Sequence, residues 1–148
     1  MRYFYVPVVA LVGLLAGCDA DKNINVAANS YCSLDNPAAS AQVVATKKFE
    51  PWGWAYNKAD GSIPKDVTLE LVASDKTVVA TGTAARTSRT DVAQAFSKPD
   101  LEMAGFGGNM DISAVKPGEY SINVIQQDGP RRYVCASPIK FKIVAPKA

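Results

Sequence analysis

The sequence predicts an all-β fold in which antiparallel strands form a sandwich. From about residue 41 onward, apolar residues recur at every second position, which is typical of strands that bury one face. Turn-forming pairs such as Asp60-Gly61 and Pro117-Gly118 separate these segments at short intervals. The composition, with 48% hydrophobic and 20% charged residues, is typical of a globular protein, and 148 residues allow one domain with its own core.

Three segments show the alternation most clearly. One of them places Val67, Leu69 and Leu71 on one side of a strand. The other two alternating sets are Tyr120, Ile122 and Val124, and Ile139, Phe141 and Ile143. Further strands are predicted over residues 42–49, 52–57, 77–83 and 106–112, and the glycine-rich stretch 105–109 is interpreted as a flexible hairpin or bulge region.

One segment departs from the period of two. Thr90 precedes the run Asp91-Val92-Ala93-Gln94-Ala95-Phe96, which has the order of a cap residue, an acidic first turn and a short helix. Pro99 follows and would end it. We therefore expect one short crossover helix near residues 90–96, passing between the two sheets of the sandwich.

The stretch from Val115 to Tyr120 contains Pro117-Gly118-Glu119 before the tyrosine. It resembles the tyrosine corner of immunoglobulin-like and fibronectin-like domains, in which the tyrosine hydroxyl bonds back to nearby backbone. A plain Pro-Gly turn explains the same residues equally well. The resemblance implies that the sandwich is immunoglobulin-like.

The amino-terminal residues resemble an export signal. Met1-Arg2 precedes an apolar run over residues 3–16, which is too short for a membrane span of about 20 residues. The following Leu15-Ala16-Gly17-Cys18 resembles the lipobox of bacterial lipoproteins. The resemblance implies that residues 1–17 are removed as a signal peptide and that Cys18 is lipidated with diacylglycerol and a further acyl chain such as palmitate. Several chains anchor a protein stably, because each buried methylene contributes about 0.8 kcal/mol.

The lipoprotein resemblance also predicts where the domain resides. Residues 18–30 are interpreted as a lipidated flexible tether, and residues 31–148 as the β-sandwich domain. The domain is expected in the periplasm or on the cell surface. Asp19 resembles the retention signal of inner-membrane lipoproteins in enterobacteria, which indicates the inner membrane.

Cys32 and Cys135 remain once Cys18 is assigned to lipid. Because disulfides persist outside the cytoplasm, we predict that these two cysteines pair. The alternative is a pair of free thiols used for redox or metal chemistry. The spacing lacks a CxxC motif, which favours the structural bond.

The chain contains no histidine, which excludes Ser-His-Asp and Cys-His nucleophile pairs and imidazole metal sites. A formal charge of +2 gives no reason to expect nucleic acid as a partner. We therefore predict no enzyme activity, no cofactor and no metal. A catalytic pair of carboxylates, as in glycosidases, is left open as an alternative, because only the fold decides the distance between two carboxyl groups. The available carboxylates are Asp60, Asp66, Glu70, Asp100, Glu102 and Asp111.

Two groups of residues are candidates for ligand binding. Trp52, Trp54 and Tyr56 are two apart, so a strand would align their rings on one face as a sugar-stacking platform, although large aromatic residues are more often core. Four arginines could receive a phosphate or carboxylate if they converge, or could belong to a solvated face with Arg89 pairing to Asp91. These four are Arg86, Arg89, Arg131 and Arg132.

An ordered set of short motifs spans residues 52–144. It comprises Gly53-Trp54-Ala55, Arg89-Thr90-Asp91-Val92, Ala95-Phe96, Gly105-Phe106, Asp111 and Pro117-Gly118-Glu119-Tyr120. The set is similar to β-sandwich modules associated with bacterial glycosyltransferases and cell-wall proteins. That resemblance implies a fold more than a function, and the lipobox and the predicted disulfide depart from its pattern.

Together these observations predict a membrane-anchored lipoprotein of the cell envelope with a non-catalytic binding or accessory role. Its partners would be the membrane, through the lipid, and an envelope protein or glycan. Two alternatives stay open: a glycan-binding or glycan-processing accessory module, and a structural subunit of an envelope assembly.

Overall fold

The computed structural model describes residues 24–25 and 30–147. The predicted signal peptide, the lipidation site Cys18 and most of the predicted tether lie outside the described residues. The described chain forms strands β1 (Ile24–Asn25), β2 (Ser30–Asn36), β3 (Gln42–Val44), β4 (Trp52–Asn57), β5 (Asp66–Ala73), β6 (Val78–Thr87), β7 (Gly105–Met110), β8 (Gly118–Asp128), β9 (Arg131–Ala136) and β10 (Phe141–Val144). Helix α1 (Thr90–Ala95) and a 3-10 helix (Pro99–Ala104) lie between β6 and β7. The predicted all-β class is confirmed.

The strands form one curled, mixed sheet. Their hydrogen-bonded order is β1-β9-β8-β5-β6-β7-β4-β2, and β10 adds to the edge of β8 and pairs with β3. Most pairs are antiparallel, but β1 with β9 and β3 with β10 are parallel, which differs from the purely antiparallel arrangement predicted. Strand β8 is long enough to pair with β9 along one half and with β10 along the other.

A disulfide holds the curled sheet together. Cys32 of β2 is bonded to Cys135 of β9, with Cα atoms 6.1 Å apart, which confirms the predicted pair. Nearby, Gln126 Nε2 on β8 donates a hydrogen bond of 3.2 Å to Ser30 Oγ on β2. The sheet therefore curls far enough to bring two strands from distant places in its order into contact.

The core fills the inside of the curl. Leu69 and Leu71 of β5 face inward with Ile122 of β8, and all three are fully buried against Phe106 and Phe141. Each such side chain contributes about 1.5–3 kcal/mol on burial. Alternate residues of the same strands face outward, so the period of two in the sequence does correspond to inside and outside.

The predicted strand bounds are uneven in accuracy. The strand predicted over 52–57 has those bounds, whereas the one predicted over 42–49 covers only Gln42–Val44, with a single bridge at Phe49. The glycine-rich stretch interpreted as a flexible hairpin or bulge is the regular strand β7. Strands β2 and β9 were not predicted, because their few inward apolar residues alternate with serine, aspartate and arginine.

The predicted helix exists but does not cross between sheets. It begins at Thr90, and the residue before it, Arg89, takes the cap position that was predicted for Thr90. The strands that it joins, β6 and β7, are direct antiparallel neighbours, with Thr87 opposite Gly105. With the 3-10 helix it instead covers part of the outer face, where Val92 and Leu101 pack with Tyr56. No helix among residues 24–25 and 30–147 is long and apolar enough to cross a membrane.

Tyr120 makes the bond that a tyrosine corner requires. Its hydroxyl donates a hydrogen bond of 2.8 Å to the carbonyl oxygen of Lys116, across the Pro117-Gly118 turn. The ring is buried at the start of the β8–β10 pairing, opposite Phe141. The turn is therefore held by its tyrosine as well as by its proline.

Candidate binding face

The predicted aromatic row on β4 exists, but it is covered from one end. Trp52, Trp54 and Tyr56 all project to the outer face, because Gly53 and Ala55 between them face inward. Trp52 is 45% exposed, Trp54 is half-buried and Tyr56 is only 3% exposed. Core packing thus accounts for Tyr56, and a platform for a ligand is geometrically open only at Trp52.

A compact aromatic cluster covers the Tyr56 end. Tyr31 of β2 lies edge-on to Trp54, Tyr56 and Phe96, with ring centroids 5.3–5.8 Å apart. Trp54 also stacks on Tyr56 and meets Phe96 edge-on. Burial raises the pKa of Tyr56, and the neighbouring Tyr31 hydroxyl adds to the shift. This cluster is a second hydrophobic core and holds Trp54 in place.

Trp52 is contacted by an ion-pair network of Arg89, Asp35 and Asp91, which we call the brace. The guanidinium carbon of Arg89 lies over the Trp52 ring, 5.7 Å from its centroid. Arg89 donates to both carboxylate oxygens of Asp91, at 2.8 and 2.7 Å, and to Asp35 at 2.6 Å. These bonds raise the pKa of Arg89 and lower that of Asp91 to about 2. The brace fixes a cation on one face of an exposed indole, an arrangement that contributes about 0.5–1 kcal/mol at exposed sites.

The surface beside Trp52 is free of large side chains. In register with Trp52 lie Gly107 on β7 and then Ala85 on β6. A Cβ atom placed on Gly107 would meet only the Thr87 Cγ2 methyl, at 3.8 Å, so the indole does not lean over the glycine. The next row across the sheet is polar and exposed, and consists of Asn109, Thr83 and Thr68. We call Trp52, Gly107, Ala85, Asn109, Thr83 and Thr68 the indole face.

Sequence reasoning singled out only Trp52 from the indole face. The glycine and the polar row were missed because β7 was interpreted as a flexible region. A signal was nevertheless present in β6, where Thr81, Thr83 and Ala85 alternate with small residues. These small residues are Ala80, Gly82 and Ala84, and the two alanines pack against the core.

Arg86 is half-buried and points toward the inside of the curled sheet. It donates to the carbonyl oxygens of Pro64, Ala55 and Ala104 at 2.9–3.0 Å, and to Gln126 Oε1 at 2.8 Å. Burial lowers its pKa to about 10. Arg86 thereby ties together four separate parts of the chain, namely β4, β8, the β4–β5 connection and the 3-10 helix, which is a structural role.

The other arginines occupy separate environments. Arg132 of β9 pairs with Glu70 of β5 across the outer face, at 2.6 Å. Arg131 is exposed, and its charge adds to the lowering of the pKa of Asp60. Together with Arg86 inside and Arg89 beside Trp52, the four predicted anion-binding residues are thus held by different partners.

Two of the carboxylates considered for acid-base chemistry stabilise turns. Asp60 Oδ1 accepts the backbone N–H of Ser62 at 2.8 Å, and Asp111 Oδ1 accepts that of Ser113 at 2.9 Å. Hydrogen bonds from these serines lower the pKa of both carboxyls. The part of the chain that the structure describes contains no group of three or more His, Cys, Asp or Glu side chains that could hold a metal ion.

No known protein family matches the chain, and no curated protein does.

Proposed function

We propose that this protein is a lipoprotein of the bacterial cell envelope, anchored through Cys18, whose domain has a non-catalytic binding or accessory role. The lipobox-like Leu15-Ala16-Gly17-Cys18 supports the anchor. The disulfide between Cys32 and Cys135 supports an oxidising compartment, since such bonds persist outside the cytoplasm. The membrane and an envelope protein or glycan are the proposed partners.

One observation carries the binding role. Trp52 is a large apolar ring left nearly half exposed, and the guanidinium of Arg89, which is itself bound by Asp35 and Asp91, lies over it. Exposed aromatic side chains that are already ordered suit recognition, because little conformational entropy is lost when a ligand covers them. The surrounding groups are glycine, alanine, threonine and asparagine, which favours binding over acid-base chemistry.

The finer fold assignment is also a proposal. We propose that the curled sheet is an immunoglobulin-like sandwich. The bond from the Tyr120 hydroxyl to Lys116 supports it, because such a tyrosine corner recurs in immunoglobulin-like domains.

The anchor is tested by replacing Cys18 with serine and following the protein in cell fractions. The wild-type protein should sediment with membranes and show an acylated amino-terminal cysteine by mass spectrometry. Cys18→Ser should lose both the acyl mass and the membrane association, while Cys32 and Cys135 still pair. Recovery of an intact first segment with an unmodified Cys18 in the wild-type protein would rule out the proposed anchoring.

A further inference from the structure

The indole face offers an open strip beside a fixed aromatic ring. From Trp52 across Gly107 to Ala85 is two strand spacings, or about 10 Å, and no side chain there is larger than a methyl group. Because Arg89 covers one face of the indole, a ligand can approach from the open side over Gly107. The strip is therefore shaped for a flat group that lies against the ring.

The polar row provides neutral hydrogen-bonding groups next to this strip. The Asn109 amide can donate and accept, and so can the hydroxyls of Thr83 and Thr68. All three residues are exposed. Groups of this kind match ligand hydroxyls, which likewise donate and accept.

Two charged residues at the borders of the face, Arg89 and Glu70, are already paired. Arg89 is bound by Asp35 and Asp91 at one end, and Glu70 is paired with Arg132 at the other. A charged ligand would gain little from these pairs, because each ion already has a partner of opposite sign. The six residues of the face are themselves uncharged, so it is best suited to an uncharged ligand.

We propose that the indole face binds a chain of uncharged pyranose sugars. One ring stacks on Trp52 above Gly107, and Asn109 and Thr83 bond to its hydroxyls. A sugar ring combines an apolar face with hydroxyls at its rim, which matches an aromatic ring bordered by neutral polar groups. A protein partner fits less well, because protein interfaces centre on several apolar anchors and this face has one. The proposal rests on the binding role proposed above and names its ligand.

The chain provides its own reporter for a binding experiment. It has two tryptophans, and Trp54 is half-buried in the aromatic cluster. In a Trp54→Phe variant, fluorescence therefore reports on Trp52 alone. The full-length protein, extracted from membranes in detergent, is titrated with cellohexaose, chitohexaose and maltohexaose, and with hexagalacturonic acid as the anionic chain of equal length.

At least one neutral hexaose should shift the Trp52 emission and bind saturably, while hexagalacturonic acid should not. As measured by isothermal titration calorimetry, which needs no tryptophan, Trp52→Ala and Gly107→Val should each weaken that binding by about tenfold or more, the first by removing the ring and the second by filling the strip. Trp52→Phe should restore part of the affinity. A Cβ on Gly107 meets only the Thr87 Cγ2 methyl, at an ordinary van der Waals distance of 3.8 Å, so the thermal unfolding of Gly107→Val should match the wild type.

The matched control is Ala136→Val, which places a valine at an exposed position of β9 outside the indole face. It should leave binding unchanged. Binding that survives both Trp52→Ala and Gly107→Val would overturn the proposal. So would the absence of binding by all three neutral chains, or binding by the anionic chain alone. The proposal would also be overturned if the wild-type protein captured an envelope protein that the Trp52→Ala variant did not. Membrane fractionation of the same variants separates the two proposals, since a failed glycan site leaves attachment through Cys18 intact.

Discussion

Cys32 and Cys135 are covalently joined, although their strands are separated in the hydrogen-bonded order by β8, β5, β6, β7 and β4. Only a strongly curled sheet allows this bond. It links residues 103 positions apart, so nearly the whole described domain lies within one covalent loop.

Removing the disulfide should lower stability substantially. The double variant Cys32→Ala with Cys135→Ala should lose about 2–5 kcal/mol of unfolding free energy, because closure of a long loop restricts the unfolded chain. Urea denaturation measures the loss. Dithiothreitol should destabilise the wild-type protein by a similar amount and leave the double variant unaffected; equal midpoints for all of these samples would contradict the prediction.

Replacing Arg86 should destabilise the end of the curled sheet. In Arg86→Met, three carbonyl oxygens and the Gln126 amide oxygen lose their donor, and each unsatisfied buried group costs about 1–3 kcal/mol. We expect a total loss of about 3–5 kcal/mol by chemical denaturation. The control Arg131→Met, at an exposed position, should change stability by no more than about 0.5 kcal/mol. Comparable losses in both variants would show that Arg86 has no special structural role.

The Tyr120 hydroxyl should contribute measurably to the turn before β8. Tyr120→Phe keeps the buried ring and removes the donor to the Lys116 carbonyl, so a loss of about 1 kcal/mol is expected in thermal or urea unfolding. Tyr31→Phe is a suitable comparison, because Tyr31 is 41% exposed and is held by ring contacts. That variant should unfold like the wild type. A Tyr120→Phe protein as stable as Tyr31→Phe would argue against the tyrosine corner.

The brace around Trp52 should weaken in acid. The pKa of Asp91 is lowered to about 2 by hydrogen bonds from Arg89, so the folded protein favours the ionised carboxyl more than the unfolded chain does. The resulting stabilisation is complete above about pH 4 and is lost as the pH falls through about 2. The stability difference between wild type and Asp91→Asn should therefore shrink over this range, as followed by urea midpoints at each pH. A difference that stays constant down to pH 2 would mean that this carboxyl is not paired in solution.

Local patterns predicted the strands whose residues alternate strictly, and missed those that depend on distant partners. Strand β5 follows directly from Val67, Leu69 and Leu71. Strand β7 could not be recognised as regular, because the reason for its glycines lies in residues that are distant in sequence. At Gly108, for example, a side chain would collide with Leu69 Cδ1 of β5. Likewise, Arg86 was interpreted as a ligand-binding candidate, since only the folded sheet brings four acceptors around it.

The exposure of the aromatic row on β4 likewise depends on residues that are distant in sequence. The sequence identified the aromatic residues of β4 as a row, but the exposure of each ring depends on which helix residues fold over it. Phe96 covers Trp54 and Tyr56 and leaves Trp52 open. That distinction comes from the connection between β6 and β7, whose path the sequence pattern does not determine.

The pairing of β2 with β4 has a consequence for orientation. Ser30 lies opposite Asn57, and Asn36 lies opposite Trp52, so β2 begins at one end of β4 and the indole stands at the other. Five residues of strand separate the two ends by about 17 Å. Under the proposed attachment at Cys18, Trp52 would lie at the end of β4 that is farther from the start of β2, where long polymers of the surrounding compartment can reach it.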